Sequence, residues 1–223
     1  METENTLKSE NNNKAPRLKY KISIVVLLLI VITAIVFIFI EQNKPDAASA
    51  AVIRNAAAMQ LGKDPNELTD EDFASMTMLR IKSQELCDIK LIKKFPNLET
   101  LFFVEIKSPK IPKWIKILSK TGLIDIKKMY ALDLSPIEKL DKVTRLAFLE
   151  TQVESYTPLL KLKYLKTLSI DTSIDNDDFE LFKKLKNLKT LIFQGHVNIT
   201  DKQINELRDA LPETEVARLE ISY

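Results

Sequence analysis

The sequence predicts an α/β solenoid preceded by one transmembrane helix. The solenoid is expected to carry parallel strands on one face and 3₁₀ turns or short helices on the other. Three observations predict this. An uncharged apolar run occupies residues 22–40. A hydrophobic register recurs seven times at near-constant spacing from residue 76 onward. Glycine is scarce, with 3 in 223 residues, which argues against folds that need glycine-rich phosphate loops.

The apolar run Ile22 to Ile40 reads ISIVVLLLIVITAIVFIFI, with Ser23 and Thr33 its only polar residues. At about 1.5 Å per residue it spans about 28 Å, close to the roughly 30 Å hydrocarbon core of a bilayer. A helix packed on the surface of a domain would show a polar face. This stretch is apolar on every side and lies near a terminus, which favours a membrane span over a buried core helix. A cleavable signal peptide is the competing reading. Its apolar region is usually about 7–15 residues, with small residues close behind. Here the run is longer, and Glu41 to Asp46 separates it from Ala47, Ala48, Ser49 and Ala50. An uncleaved anchor is therefore favoured. Lys8, Lys14, Arg17, Lys19 and Lys21 precede the run and only Lys44 follows it closely. The positive-inside rule then predicts a single-pass protein with a cytoplasmic N-terminus and an extracytoplasmic repeat domain. Residues 1–21, polar and Asn-rich, read as a disordered cytoplasmic tail. Residues 22–40 are the transmembrane helix, and 41–46 a linker.

Seven strand-like segments follow: Met76–Ile81, Leu98–Phe103, Thr121–Ile126, Val143–Phe148, Leu165–Ile170, Leu188–Phe193 and Val216–Ile221. Their fourth positions are Leu79, Leu101, Ile124, Leu146, Leu168, Leu191 and Leu219, spaced by 22, 23, 22, 22, 23 and 28 residues. Upstream of the five anchors Leu101, Ile124, Leu146, Leu168 and Leu191, apolar residues recur every three positions. Ile92, Phe95 and Leu98 form one such row, and Leu159, Leu162 and Leu165 another. Only Thr121 breaks these columns. One such unit cannot bury its own hydrophobic side, whereas stacked units share a continuous core. Spacing of three on the return side suits 3₁₀ turns or short helices.

On these residues the sequence resembles the leucine-rich-repeat family, whose pattern is L-x-x-L-x-L, over roughly residues 70–223. The unit length is similar to the bacterial internalin type. The resemblance implies a helical N-terminal cap over 47–75 and repeats with a C-terminal cap over 76–223. Asp46 or Ser49 is expected to cap the first helix, Gly62 to end it, and Thr69 to cap the next turn. A closing helix is expected over Lys202–Ala210. The family's asparagine after the strand is mostly absent. Gln84, Ile106, Met129, Thr151, Ser173 and His196 stand in that place.

Composition excludes several functions. The net charge is +2, and lysines are interleaved with acids along the chain, so nothing points to nucleic acid. Cys87 is the only cysteine, which rules out an internal disulfide. Between Leu86 and Asp88 it reads as a small core residue. His196 is the only histidine and lies in a different repeat from Cys87. No nucleophile–base pair or histidine-based metal site is therefore expected. The acidic stretch Asp171–Asp178 lacks the glycine of a calcium loop and reads as a solvated loop and helix cap. The expectation is no catalytic residue, no metal and no cofactor.

The informative surface is the exposed strand face, expected to be concave. Alternation places Arg80, Lys82, Phe102, Val104, Asp125, Lys127, Ala147, Leu149, Ser169, Asp171, Ile192 and Gln194 there. Phe102, Val104, Ala147, Leu149 and Ile192 are apolar where water is expected. Such a patch rimmed by charge marks an interaction site. The competing readings are strand propensity alone, or packing against another part of the chain. The candidate partner-binding set is Phe102, Val104, Asp125, Lys127, Ala147, Leu149, Asp171, Ile192 and Gln194. The expected function is protein–protein interaction by a membrane-anchored module, with an unknown protein partner and the lipid bilayer contacted through Ile22 to Ile40. The alternative is a structural spacer or envelope-assembly component.

Overall fold

The structure is a computed structural model that describes residues 26–34, 46–83, 86, 88–106, 113–122, 131–195 and 197–219. The chain divides into two units, Met1–Lys44 and Pro45–Tyr223. In the first, residues 26–34 are helical and exposed. The Thr33 hydroxyl donates to the Ile30 carbonyl at 2.9 Å, so its one polar side chain is satisfied within the helix. Among the described residues no helix is long and apolar enough to cross a membrane. The ends of the expected span, residues 22–25 and 35–40, lie outside the described residues.

The second unit opens with α1 (Asp46–Leu61). Gly62 ends it in the left-handed region at φ 66°, and Lys63 N–H donates back to Ala58 O at 3.0 Å. Only glycine adopts that φ without a Cβ penalty. Ser49 does not cap the helix. It is buried within it, and its hydroxyl accepts from the Asp88 amide at 3.2 Å. Next comes α2 (Asp70–Ser75), where Thr69 and Asp72 form a capping box.

Six parallel strands follow in sequential order: β1 (Met78–Lys82), β2 (Thr100–Val104), β3 (Arg145–Leu149), β4 (Thr167–Asp171), β5 (Thr190–Gln194) and β6 (Glu215–Leu219). Every neighbouring pair is parallel. Register partners form two inward columns. One runs Leu79, Leu101, Leu146, Leu168, Leu191 and Val216; the other runs Ile81, Phe103, Phe148, Ile170, Phe193 and Arg218. All but Arg218 are buried.

The return segments are 3₁₀ turns at Lys90–Lys94, Ser135–Lys139 and Thr157–Lys161, then α4 (Asn176–Phe182). Two further helices are α3 (Lys113–Lys120) and α5 (Asp201–Ala210). Pro136 and Pro158 sit at the start of their turns, where a missing N–H costs nothing. Between sheet and return layer runs an aromatic chain. Phe103 stacks on Phe148 at 5.4 Å, Phe148 meets Tyr156 at 5.5 Å, Tyr156 meets Phe182 at 5.0 Å, and Phe182 meets Phe193 at 6.0 Å. Each pair adds roughly 0.5–1.5 kcal/mol beyond its burial.

Two sequence expectations are corrected. The segment Thr121–Ile126 does not lie between the second and fourth strands, because β2 pairs directly with β3. Thr121 and Gly122 instead form the turn that ends α3, with Gly122 at φ 76°. The residues from 123 to 130, including the expected anchor Ile124, lie outside the described residues. Leu132 forms an isolated parallel bridge with Val153 of the next unit. The second correction is the last register. Val216, not Leu219, partners Leu191, and Leu219 is exposed. A spacing of 28 was really 25, because α5 lengthens the unit by less than the L-x-x-L match suggested.

Candidate functional site

The outward sheet face has two rows. One is Arg80, Phe102, Ala147, Ser169, Ile192 and Ala217. The other contains Lys82, Val104, Leu149 and Asp171, with Gln194 and Leu219 at the far end. Phe102, Leu149, Asp171, Ile192 and Gln194 are half-buried. Val104 and Ala147 differ from expectation: they are buried, at 7% and 5% exposure. Ala147 lies in register between Phe102 and Ser169, and Val104 between Lys82 and Leu149. Neither belongs to the main core, so both are covered on the outward side. Asp125 and Lys127 lie outside the described residues.

Acidic groups gather where the strands end. Glu105 and Glu150, each one residue past its strand, have φ of 52° and 48°, and Gly195 takes the same place at 65°. For a non-glycine residue that conformation costs about 1–2 kcal/mol. The return is a ladder that runs one residue further, since Glu105 N–H donates to Leu149 O at 2.8 Å and Glu150 N–H to Asp171 O at 3.1 Å. Glu105 also pairs with Lys82 at 2.8 Å. The Asp171 carboxylate lies against Gly195, where a Cβ would stand 2.1 Å from Asp171 Oδ1. The face thus has an apolar centre and a charged border.

The turns show what replaces the missing asparagine. Thr151, fully buried, donates to Leu149 O at 3.0 Å and accepts from Ile106 N–H at 3.4 Å. Asn198 does the same work from another position. Its side chain accepts from Ile174 N–H at 2.9 Å and donates to Ile174 O at 3.0 Å. The pair serves a backbone amide that would otherwise be left without partners in a buried turn.

Both sheet edges are closed by side chains that sequence reasoning did not single out. Gln60 of α1 donates to Arg80 O and accepts from Arg80 N–H, each at 3.4 Å, standing in for a neighbouring strand. At the other edge Arg208 of α5 donates twice to Val216 O, at 3.2 and 3.0 Å. Arg218 ends the inner column and donates to Ile199 O and Asp201 Oδ1, both at 3.2 Å. Such pairings blunt an edge against strand addition. No single-residue signal marks Gln60 or Arg208, because their partners are set by tertiary packing.

Among the described residues no group of three or more His, Cys, Asp or Glu is placed to hold a metal ion. Cys87 and His196 lie outside the described residues. Within Asp171–Asp178, Asp175 and Asp178 form the capping box of α4. A cavity of about 80 Å³ lies between two return segments, beside Leu160 and Lys184. That is small against the roughly 300–1,000 Å³ of ligand pockets.

No family model matches the chain, and no curated protein matches it. Among solved structures, internalin C2 of Listeria monocytogenes is similar at 20% identity and a TM-score of 0.35, covering 77% of this chain and 85% of that one. The internalin InlF of the same organism is similar at 19% identity and a TM-score of 0.28, covering 82% of this chain and 73% of that one. The fold described above rests on the sheet and its register rather than on these likenesses.

Proposed function

We propose that this chain is a membrane-tethered interaction module whose outward sheet face receives a protein partner. One observation carries the reading. Phe102, Leu149 and Ile192 stand half-exposed on that face, bordered by Lys82, Glu105 and Asp171. An apolar centre with a charged rim is how protein interfaces are built. The uncharged run Ile22 to Ile40 supports a tether in the bilayer. The cations before it support a cytoplasmic N-terminus and an extracytoplasmic repeat unit. Proteolysis of intact cells and of inside-out vesicles tests the orientation. Digestion of the repeat unit only from the cytoplasmic side would overturn it.

The face is tested by Phe102→Glu with Leu149→Glu in the full-length chain, crosslinked in cells and recovered from detergent extract. Both positions are half-exposed on the outward face, so circular dichroism should show an unchanged fold. Each charge would desolvate at the centre of an interface, and central contacts are worth about 2 kcal/mol or more. Recovery of the partner should fall by roughly tenfold or more. Equal recovery from variant and wild type refutes the assignment of this face.

A further inference from the structure

We propose that the lysine edge formed by the two return segments before β4 and β5 docks on the anionic headgroups of a lipid surface. Along the sequence the lysines are interleaved with acids, but on this edge they are not. The two coils read KLKYLKTL (161–168) and KLKNLKTL (184–191), with no acid in either. Their turns have the same geometry. Leu165 N–H donates to Leu162 O and Leu188 N–H to Leu185 O, at 3.2 and 3.1 Å. Lys189 N–H donates to Lys166 O at 2.7 Å, which locks the coils side by side. Lys161 is thereby set beside Lys184, Lys163 beside Lys186, and Lys166 beside Lys189. Neighbouring strands are about 4.8 Å apart. All six lysines are exposed.

Like charges in register repel, and little on the chain relieves them. Lys186 donates to the Ala210 carbonyl, Lys166 to Asn187 O at 3.4 Å, and Lys189 is 3.8 Å from Glu213. Among the described residues no carboxylate pairs with Lys161, Lys163 or Lys184. Lys183 is apart from the set, because Glu180 and Glu206 hold it. Six cations on two rungs therefore call for a polyanion.

Two apolar side chains select the kind. Tyr164 is 60% exposed and Leu160 43% exposed, both amid the lysines. Tyrosine at a headgroup boundary, with lysine stems lying along apolar surface, is the chemistry of a membrane interface. A free polyphosphate would gain nothing from them. The recognition does not depend on the tether.

The full-length chain is placed in nanodiscs of phosphatidylcholine, alone or with one third phosphatidylglycerol, and its lysines are acetylated and read by mass spectrometry. Phosphatidylglycerol should lower acetylation of Lys161, Lys163 and Lys184 by about fivefold each. High salt should abolish the protection, and Lys202, whose side chain is 87% exposed, should not change. The triple variant Lys163→Glu, Lys166→Glu, Lys186→Glu, all at exposed positions, should remove the protection of Lys161 and Lys184. Should the chain stay outside the nanodiscs, the tether reading fails alone, and vesicles of the same lipids added to the free chain give the same readout. No protection by phosphatidylglycerol, or protection that survives the triple variant, overturns the proposal. Equal protection by inorganic polyphosphate over phosphatidylcholine also overturns it, in favour of a general polyanion site.

Discussion

Tyr156→Phe should stabilise the repeat unit, although it removes a polar group. Tyr156 is 1% exposed, and its ring meets Phe148 at 5.5 Å and Phe182 at 5.0 Å. Its hydroxyl has no hydrogen-bond partner. Burial pushes the phenol well above its ordinary titration range, and the carboxylates of Asp178 and Asp175 push the same way, so the group stays neutral. A buried hydroxyl without a partner costs about 1–3 kcal/mol. Phenylalanine keeps the ring contacts and removes that cost, so a gain of about 1 kcal/mol is expected. For a domain of this size that raises Tm by about 2–4 °C. Thermal unfolding of the full-length chain in detergent micelles, followed by near-ultraviolet circular dichroism, measures the change. Tyr156→Ala in the same assay should lose about 3–5 kcal/mol, because it breaks the aromatic chain and leaves a cavity. A lower Tm for Tyr156→Phe would refute the reasoning. It would mean that the hydroxyl is bonded in solution, for example through a water to Asp178, and that the tyrosine is a specified core residue.

Three further outcomes are expected. Gly195→Ala should destabilise by about 2 kcal/mol or more, since it combines a positive φ with a Cβ 2.1 Å from Asp171 Oδ1. Adding Asp171→Ala should recover the steric part in denaturant titrations, and no recovery would refute the contact. Gln60→Ala should cost about 0.5–1 kcal/mol and raise self-association, read by sedimentation, because it bares the amide and carbonyl of Arg80 at the β1 edge. A variant with unchanged sedimentation would show that the edge needs no such closure. The Asp72 carboxyl is held below its ordinary value, first by its hydrogen bond with Lys63 and then by the capping bond to Thr69. A depressed carboxylate adds stability above its unfolded pKa, about 3.9, and loses it as pH falls through the folded value. Wild type and Asp72→Ala should therefore differ in Tm at neutral pH and draw together in acid; a gap constant with pH would exclude this linkage.

The stack was legible in the sequence because each strand must bury alternate residues against its neighbours. Leu79, Leu101, Leu146, Leu168 and Leu191 mark that demand directly. Thr69, Gly62 and the start of α5 were legible for a different reason, since caps answer to local chemistry. Periodicity misled where the sheet has no rung for the expected strand, because β2 and β3 are direct neighbours. The residues Thr121–Ile126 carry the right alternation, yet β2 goes straight to β3. Periodicity shows that a segment can be a strand, not that a neighbour exists to pair with it. It failed again at Leu219, where the motif match placed the anchor three residues past Val216, the residue that partners Leu191. The candidate face was half legible. Alternation told which residues point outward, but not that Val104 and Ala147 are covered there.

The closed edges narrow how a partner can engage this unit. A partner adding a strand at β6 would have to displace two charge-assisted bonds from Arg208 to Val216 O. At β1 it would displace the two longer bonds of Gln60, which are weaker but occupy both the donor and the acceptor of Arg80. Neither edge offers a bare backbone group at those positions, so main-chain pairing is a poor route to affinity. The outward face has no such barrier. Its backbone is already spent on neighbouring strands, and Phe102, Leu149 and Ile192 offer side-chain surface that loses little by being covered. The lysine edge is chemically the reverse, with charge in excess and only Leu160 and Tyr164 as apolar contacts. One surface favours a ligand that excludes water, the other a ligand that exchanges counterions. A single partner covering both would need opposite properties side by side. Two ligands of different kind, a protein on the face and a charged lipid surface on the edge, meet these demands without conflict.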